Sequence, residues 1–325
     1  MQANAHPYQD LTPDVVIQAV ESLGFIANGR QLALNSYENR VYQVGIEEAD
    51  PVIVKFYRPQ RWTDAAILEE HRFTLDLAAR ELPVVAPWQA EDGSTLHEYA
   101  GFRLALYPRR GGHWPELEDP DDLEWMGRFL AQIHLLGEQQ AFAHRPVIDI
   151  ESYGDGSVNY LLEQGFIPTD LLPAYTSLTR DVLQQVRDAY ARAGKVQYLR
   201  LHGDCHPGNI LWTDDGPHFV DFDDARMGPA VQDLWMLLSG DRQDQGMQLS
   251  DIINGYEMFR EFDRRELHLI EALRTLRMLN YSAWLARRWS DPAFPLNFPW
   301  FNTQAYWEEQ VLGPVSYTHL RAHET

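Results

Sequence analysis

The stretch LHGDCHPGNILWTDDGPHFVDFDD, residues 201–224, gathers acids, histidines, an asparagine and the chain's single cysteine around two short apolar runs. NILW and HFVDF are β-prone, and TDDGP between them consists of turn formers, so the segment reads as a hairpin. A hairpin centred on Asp215 sets Trp212 opposite His218 and Asn209 opposite Asp221. Opposed Cα atoms in an antiparallel pair lie about 4.5–5.5 Å apart, close enough for an amide oxygen and a carboxylate to share one cation. Mg2+ suits such a pair, because it takes hard oxygen ligands and completes its shell with phosphate and water. Asp204 stands five residues before Asn209, in the turn-prone GDCHPGN, where it can take a proton from an incoming hydroxyl. His202, Cys205 and His206 offer zinc as a competitor, but a structural zinc site wants four ligands in paired spacing and there is no second cysteine. The plain alternative is an exposed acidic loop. These residue types at this spacing favour the functional reading.

The elements that must hold this segment are legible around it. Thr12-Pro13 followed by DVVIQAVESLG reads as a capped helix stopped at Gly24. QLALNSY, NRVYQVGI and PVIVKFY, from about 31 to 57, alternate as three strands. Thr63 opens a helix that carries Ile67, Phe73 and Leu77 at helical spacing, and two more strands follow in TLHEY and GFRLALY. PRRGGHWPE, 108–116, reads as a joint between lobes. Beyond it, helices are expected at about 120–137, 169–193, 229–238, 247–260, 264–290 and 303–312, with DPAFPLNFPW as a packed loop. The expected fold is α+β and bilobal: a small antiparallel-sheet lobe (1–107), a hinge (108–116) and a larger helical lobe (117–312) that contains the hairpin. SYTHLRAHET has the look of translated adapter sequence, so 313–325 is set aside.

Of the 325 residues 45% are hydrophobic, enough for a sizeable core. A formal charge of −21 repels phosphate backbones and anionic membranes and argues against nucleic acid as a partner. One cysteine excludes an internal disulfide framework, and the start MQANAHPYQD lacks a signal-peptide pattern. A cytoplasmic, monomeric protein without a membrane span is the expectation.

His202-Gly203-Asp204, then Asn209, then Asp221-Phe222-Asp223 follow the order and spacing of the catalytic loop and D-F-G triplet of kinase-type phosphotransferases. The H-G-D form resembles the aminoglycoside phosphotransferase and choline kinase branch of the protein kinase-like fold. LNSYENRVYQ, VIVKFYRP, LRLHGDCHPGNILW, VDFDDARMGPAVQDLW and DPAFPLNFPW together resemble the bacterial stress response kinase A (YihE) family of Ser/Thr protein kinases, over about residues 10–310. The resemblance implies ATP and Mg2+ as cofactors, with Asp204 as proton acceptor and Asn209 and Asp221 as metal ligands. It further implies Lys55 on the ATP phosphates, Glu70 as its ion-pair partner with Glu69 as fallback, and Ser36 in the turn over the phosphates. Asp233 is implied as an anchor of the catalytic loop. The implied acceptor is a protein Ser/Thr hydroxyl, with a small alcohol such as an amino sugar or choline as the alternative.

Three departures stand out. The phosphate turn has no G-x-G-x-x-G, so close approach falls to Ser36 and Asn39. Eleven residues between Asp221 and Asp233 leave no room for a long activation segment. His206 replaces the lysine often found two residues after the catalytic Asp; it either meets the transferred phosphate or closes the hairpin base. Arg277, Tyr281, Trp284 and Arg288 share one helix face, read as interior packing in preference to an acceptor groove. Two rivals remain: a metal-dependent phosphoesterase built on His202, Asp204, His206 and Asp221, which leaves Lys55 and Glu70 idle, and a non-catalytic kinase-like scaffold.

Overall fold

In a computed structural model that describes residues 6–312, Thr12 caps α1 (Pro13–Glu21) by accepting the Val15 N–H at 3.3 Å. Three strands follow, β1 (Ala27–Ala33), β2 (Arg40–Ile46) and β3 (Ala49–Phe56). The first starts at Ala27, ahead of the expected 31, because a register irregularity between Ala27 and Gln31 lets the ladder continue past the break in alternation. Thr63 caps α2 (Asp64–Ala78) through the Ala66 N–H, and β4 (His97–Tyr99) and β5 (Phe102–Pro108) complete an antiparallel sheet ordered β1-β2-β3-β5-β4.

The central strands of the sheet are covered on both faces, while β1 is largely exposed. Val54 and Phe56 pack with Val44, Leu104 and Leu106 against Val16, Ala19 and Val20 of α1. Tyr57 and Ala105 pack against Ile67 of α2. Successive strand side chains point to opposite faces, so Lys55, between Val54 and Phe56 and paired across to Ala105, is turned toward the α2 side.

After α3 (Pro120–Gly137) the chain forms a π-turn, Glu151–Asp155, that runs into α4 (Gly156–Glu163), a helix with no strong period in the sequence; α5 (Leu172–Ala193) follows. Then come β6 (Leu199–Leu201), β7 (Ile210–Thr213), β8 (Gly216–Phe219) and β9 (Arg226–Gly228). The helices α6 (Val231–Trp235) and α7 (Arg242–Tyr256) follow. The latter begins ahead of the expected 247 because Asp241 and Asp244 form a reciprocal capping box. A 3-10 stretch, Arg264–Leu269, enters α8 (Ile270–Arg288), and α9 (Ala293–Asn297) and α10 (Gln304–Leu312) end the described chain. The segment DPAFPLNFPW, expected as a loop, thus holds one short helix. The adapter-like tail lies outside the described residues.

The chain divides into two compact units, one from Met1–Pro146 with Tyr198–Phe262 and the other from Val147–Gln197 with Asp263–Thr325. In the first, α3 and α7 cross closely because Gly127 and Gly255 each face the other helix's backbone, at Ile252 and Glu124. In the second, Tyr281 and Trp284 stack at 5.6 Å, Trp284 meets Phe294 and Phe298, and Arg288 lies over its ring, so this face of α8 is aromatic packing.

Candidate active site

The hairpin forms, with a register one residue from that expected. Leu211 pairs with His218, Trp212 with Pro217, and Thr213 with Gly216. The turn centre falls between Asp214 and Asp215, because Thr213 Oγ1 accepts the Asp215 N–H at 3.2 Å and donates to the Gly216 carbonyl at 3.1 Å, closing a tight two-residue loop. Asn209 and Asp221 are therefore not a directly opposed strand pair. They are neighbours through the hairpin mouth, where the Val220 N–H donates to the Asn209 carbonyl at 3.0 Å. Both strands are braced from outside: His113 and Trp212 exchange backbone hydrogen bonds, and Phe219 bonds to Pro83 and Val85.

Asp221 leaves β8 in a left-handed conformation, φ 58°, which Asp tolerates better than most residues and which re-aims its side chain. The carboxylate is half exposed, and its Oδ1 accepts from Lys55 Nζ at 2.7 Å. Burial opposes the charged lysine, but Asp221 and Asp223 overcome it and hold its pKa well above the usual value. Glu70 is buried on α2, and burial raises its carboxyl to about 7 although Lys55 and Arg145 pull it down. It therefore acts on Lys55 through the field, while the direct ion pairs run to Asp221 and, at 3.4 Å, to Asp223. Glu69 is committed elsewhere: its carboxylate accepts the N–H groups of Ala143, His144 and Arg145.

Asp204 is held by a loop that Asp233 organises. Asp233 is fully buried and accepts the His202 and Gly203 N–H groups at 2.9 Å each and His134 Nε2 at 3.1 Å. His202 uses both ring nitrogens locally, Nε2 on the Val220 carbonyl at 2.9 Å and Nδ1 on the Asp204 N–H at 3.3 Å. Gly203 has φ 84°, and a Cβ there would meet the Asp224 carbonyl, so only glycine suits the position. Asn209 Nδ2 donates to the Asp204 carbonyl at 2.9 Å and approaches Asp204 Oδ2 at 3.5 Å, and no donor reaches its Oδ1 among the described residues. His206 caps the short turn before Asn209 through Nδ1, and its Nε2 lies 3.5 Å from Asp204 Oδ2.

These placements bear on metal chemistry. Asn209 Oδ1 and Asp221 Oδ2, to which no N–H or O–H donates among the described residues, are hard oxygen donors that fit a divalent cation, while Asp221 Oδ1 is held by Lys55. They do not make a soft or nitrogen-rich site: both His202 ring nitrogens are engaged in hydrogen bonds and burial pushes the Cys205 thiol well up. Ser36, in the turn between β1 and β2, donates to the Asn39 carbonyl at 3.4 Å.

The sequence reading missed an ionic cage around this centre. Arg61 bonds Asp223 and reaches Asp224 at 2.8 Å, Arg58 pairs with Glu38 at 3.1 Å, and Arg145 donates to the carbonyls of Ala66, Asp223 and Ala225. The signal available was the density of arginines in FYRPQRW against the acids of DFDD. A second buried network, Tyr57 to His71 at 2.6 Å and His71 to Thr95 at 2.8 Å, lies beneath Lys55, whose ammonium is 5.5 Å from the Tyr57 ring centre.

A model of a phosphotransferase enzyme family matches residues 30–270. The chain belongs to this family. It is 47% identical over 96% of its length to stress response kinase A of Escherichia coli K12, covering 94% of that protein. It is 44% identical over 98% of its length to the serine/threonine protein kinase RdoA of Salmonella typhimurium LT2, covering 96% of it. The resemblance read from the motifs thus holds. Among solved structures, an amicoumacin kinase in complex with AMP-PNP and Ca2+ superposes with a TM-score of 0.71 at 19% identity, covering 94% of this chain and 95% of that one. A microcompartment-associated aminopropanol kinase gives 0.67 at 19% identity, with coverage of 90% and 94%. The α+β kinase-like fold of the phosphotransferase family is therefore established for this chain. Among the described residues no helix is long and apolar enough to cross a membrane.

Proposed function

We propose that this chain is an ATP- and Mg2+-dependent kinase that transfers the γ-phosphoryl group to Ser/Thr hydroxyls of proteins, in a cytoplasmic stress response. The observation that carries the reading is the 2.7 Å bond between Lys55 and Asp221, which brings the strand lysine to the segment bearing Asp204 and Asn209. A phosphoesterase has no use for that lysine. The name of the 44% identical relative, a serine/threonine protein kinase, supports the protein acceptor, and that of the 47% identical relative supports the stress response.

In this reading Asn209 Oδ1 and Asp221 hold the metal, which when bound supplies charge neutralisation to the transferred group. Lys55 exchanges part of its bond to Asp221 for phosphate oxygens. Asp204 orients the acceptor hydroxyl and takes its proton, and its carboxylate is aimed by the Asp233-anchored loop. Ser36 and the 35–39 turn cover the phosphates. The N-terminal sheet with α2 forms the nucleotide side of the site.

One observation favours a small alcohol as acceptor. β9 pairs with β6 two residues after Asp224, and α6 opens at Val231, so the stretch between them is too short to form a peptide-binding segment. A γ-32P transfer assay with Mg2+ separates the readings, run on a generic protein substrate, on the chain alone and on a panel of amino sugars and amino alcohols. Label on protein that Asp204→Asn abolishes supports the proposal, with nucleotide binding retained in the variant. Label only on a small molecule replaces the acceptor, and no transfer at all with ATP still bound points to a scaffold. Asp221→Ala should weaken Mg2+-dependent nucleotide binding; an unaltered Mg2+ titration removes it as a ligand.

A further inference from the structure

The acid that stands where the D-F-G triplet has glycine is buried, and its two oxygens face different partners. Asp223 Oδ2 accepts from Asn39 Nδ2 at 3.1 Å and from Arg61 Nη1. Asp223 Oδ1 accepts no hydrogen bond and has Lys55 Nζ at 3.4 Å. Asn39 is itself buried, and its Oδ1 takes the Arg58 N–H at 3.1 Å. One carboxylate therefore joins four segments: the turn after β1, the end of β3, the stretch before α2 and the run after β8.

We propose that Asp223 is a positioning residue for the phosphate end of the nucleotide. It ties the glycine-free 35–39 turn to the 221–224 segment through Asn39, and it retains Lys55 when Asp221 engages the metal. The inference rests on the kinase reading for the roles of Lys55 and Asp221. Three features on the page support it. The turn lacks the glycines that elsewhere let backbone mould itself to phosphate, and side chains hold it instead: Arg58 donates to the Tyr37 and Glu38 carbonyls, and Asp223 is the acid that links its Asn39 end to the 221–224 segment. The unfilled acceptor capacity of Oδ1 lies toward the Lys55 ammonium, 3.4 Å away. Arg61 and Asn39 fix Oδ2, so the carboxylate cannot rotate to follow Lys55 and instead defines where the ammonium stays.

The test combines amide hydrogen exchange on the nucleotide-free chain with steady-state kinetics, for Asp223→Asn, Asn39→Ala and the double variant. Asp223→Asn should speed exchange across 35–40 and raise the KM for Mg-ATP about tenfold or more, the ratio expected for one lost charge-assisted hydrogen bond, with a smaller fall in kcat. Asn39→Ala should move both readouts the same way by less, and the double variant should exchange no faster than Asp223→Asn alone. A shifted Mg2+ dependence in Asp223→Asn with unchanged exchange at 35–40 would make Asp223 a metal ligand and overturn the tether; so would unchanged exchange and KM. If Asp223→Asn fails to fold, Asn39→Ala decides, because it leaves the carboxylate with Lys55 and Arg61. If the wild-type chain transfers no phosphoryl group, the nucleotide role falls with the kinase reading, while the exchange data still judge the tether.

Discussion

Asp233 and Asp223 lie ten residues apart, both are buried, and they are compensated in opposite ways. Asp233 is satisfied by backbone N–H groups and by His134, which burial holds below its usual pKa despite the adjacent carboxylate. Asp223 is satisfied by cations: burial alone would raise its pKa, but Arg61, Lys55 and Arg145 outweigh it and hold the carboxyl below the usual range. Fixed dipoles of one loop have no alternative partner, whereas Lys55 and Arg61 each have a second acid. The first arrangement gives a rigid frame for Asp204. The second leaves Lys55 and Arg61 each within reach of two acids, so these cations can change partner while the Asp223 carboxylate stays in place.

The largest expected effect tests the rigid member. Asp233→Ala strands two backbone donors and His134 in a dry interior and should cost about 3–5 kcal/mol of stability, read by urea unfolding. A loss near that of a surface substitution would break the contrast. Asp223→Ala should cost less, about 1–3 kcal/mol, because Lys55 keeps Asp221 at 2.7 Å and Arg61 keeps Asp224 at 2.8 Å. Equal losses in the two variants would merge the two carboxylates into one class.

The same contrast explains what could be read from the sequence. Asp204, Asn209 and Asp221 lie within eighteen residues, and the turn formers and β-prone runs between them fix their neighbourhood, so their association was legible, whereas Asp233's place on the loop came only from the family resemblance. The hairpin register slipped by one because the turn TDDGP is symmetric enough to centre on either side of Asp215, and the Thr213 hydroxyl that decides it acts through hydrogen bonds that no periodicity reports. Thr12 and Thr63 announced their helices because caps are local. The cage was illegible for the opposite reason. Arg61 reaches Asp223 across 162 positions and Asn39 across 184, and an arginine's partner at that separation is set by tertiary packing. Choosing between Glu69 and Glu70 needed the same information, since Glu69 is claimed by the loop at 143–145.

The smallest expected effect reads the cage from beneath, through Glu70 and His71. Burial raises Glu70 from 4.5 to about 7, against the pull of Lys55 and Arg145. As pH rises from 4.5 to about 7, the unfolded chain releases a proton that folded Glu70 keeps, so this group lowers stability through that window. Burial, reinforced by Lys55 and Arg145, lowers His71 from 6.5 to about 3. As pH falls below 6.5 the unfolded ring binds a proton that the folded ring refuses, so this group lowers stability in the other direction. Across the overlap the two slopes oppose, while His134 and His97, which burial also holds below the usual histidine value, tilt the wild-type curve toward stability gained as pH rises. Glu70→Gln removes one of the two opposing slopes, so the variant should gain on the wild type as pH rises through the overlap, by up to about 1.4 kcal/mol per pH unit. Urea midpoints measured from pH 4.5 to 7 check the sign. Parallel curves would mean that the pull of Lys55 and Arg145 offsets burial and Glu70 ionises at or below its usual value.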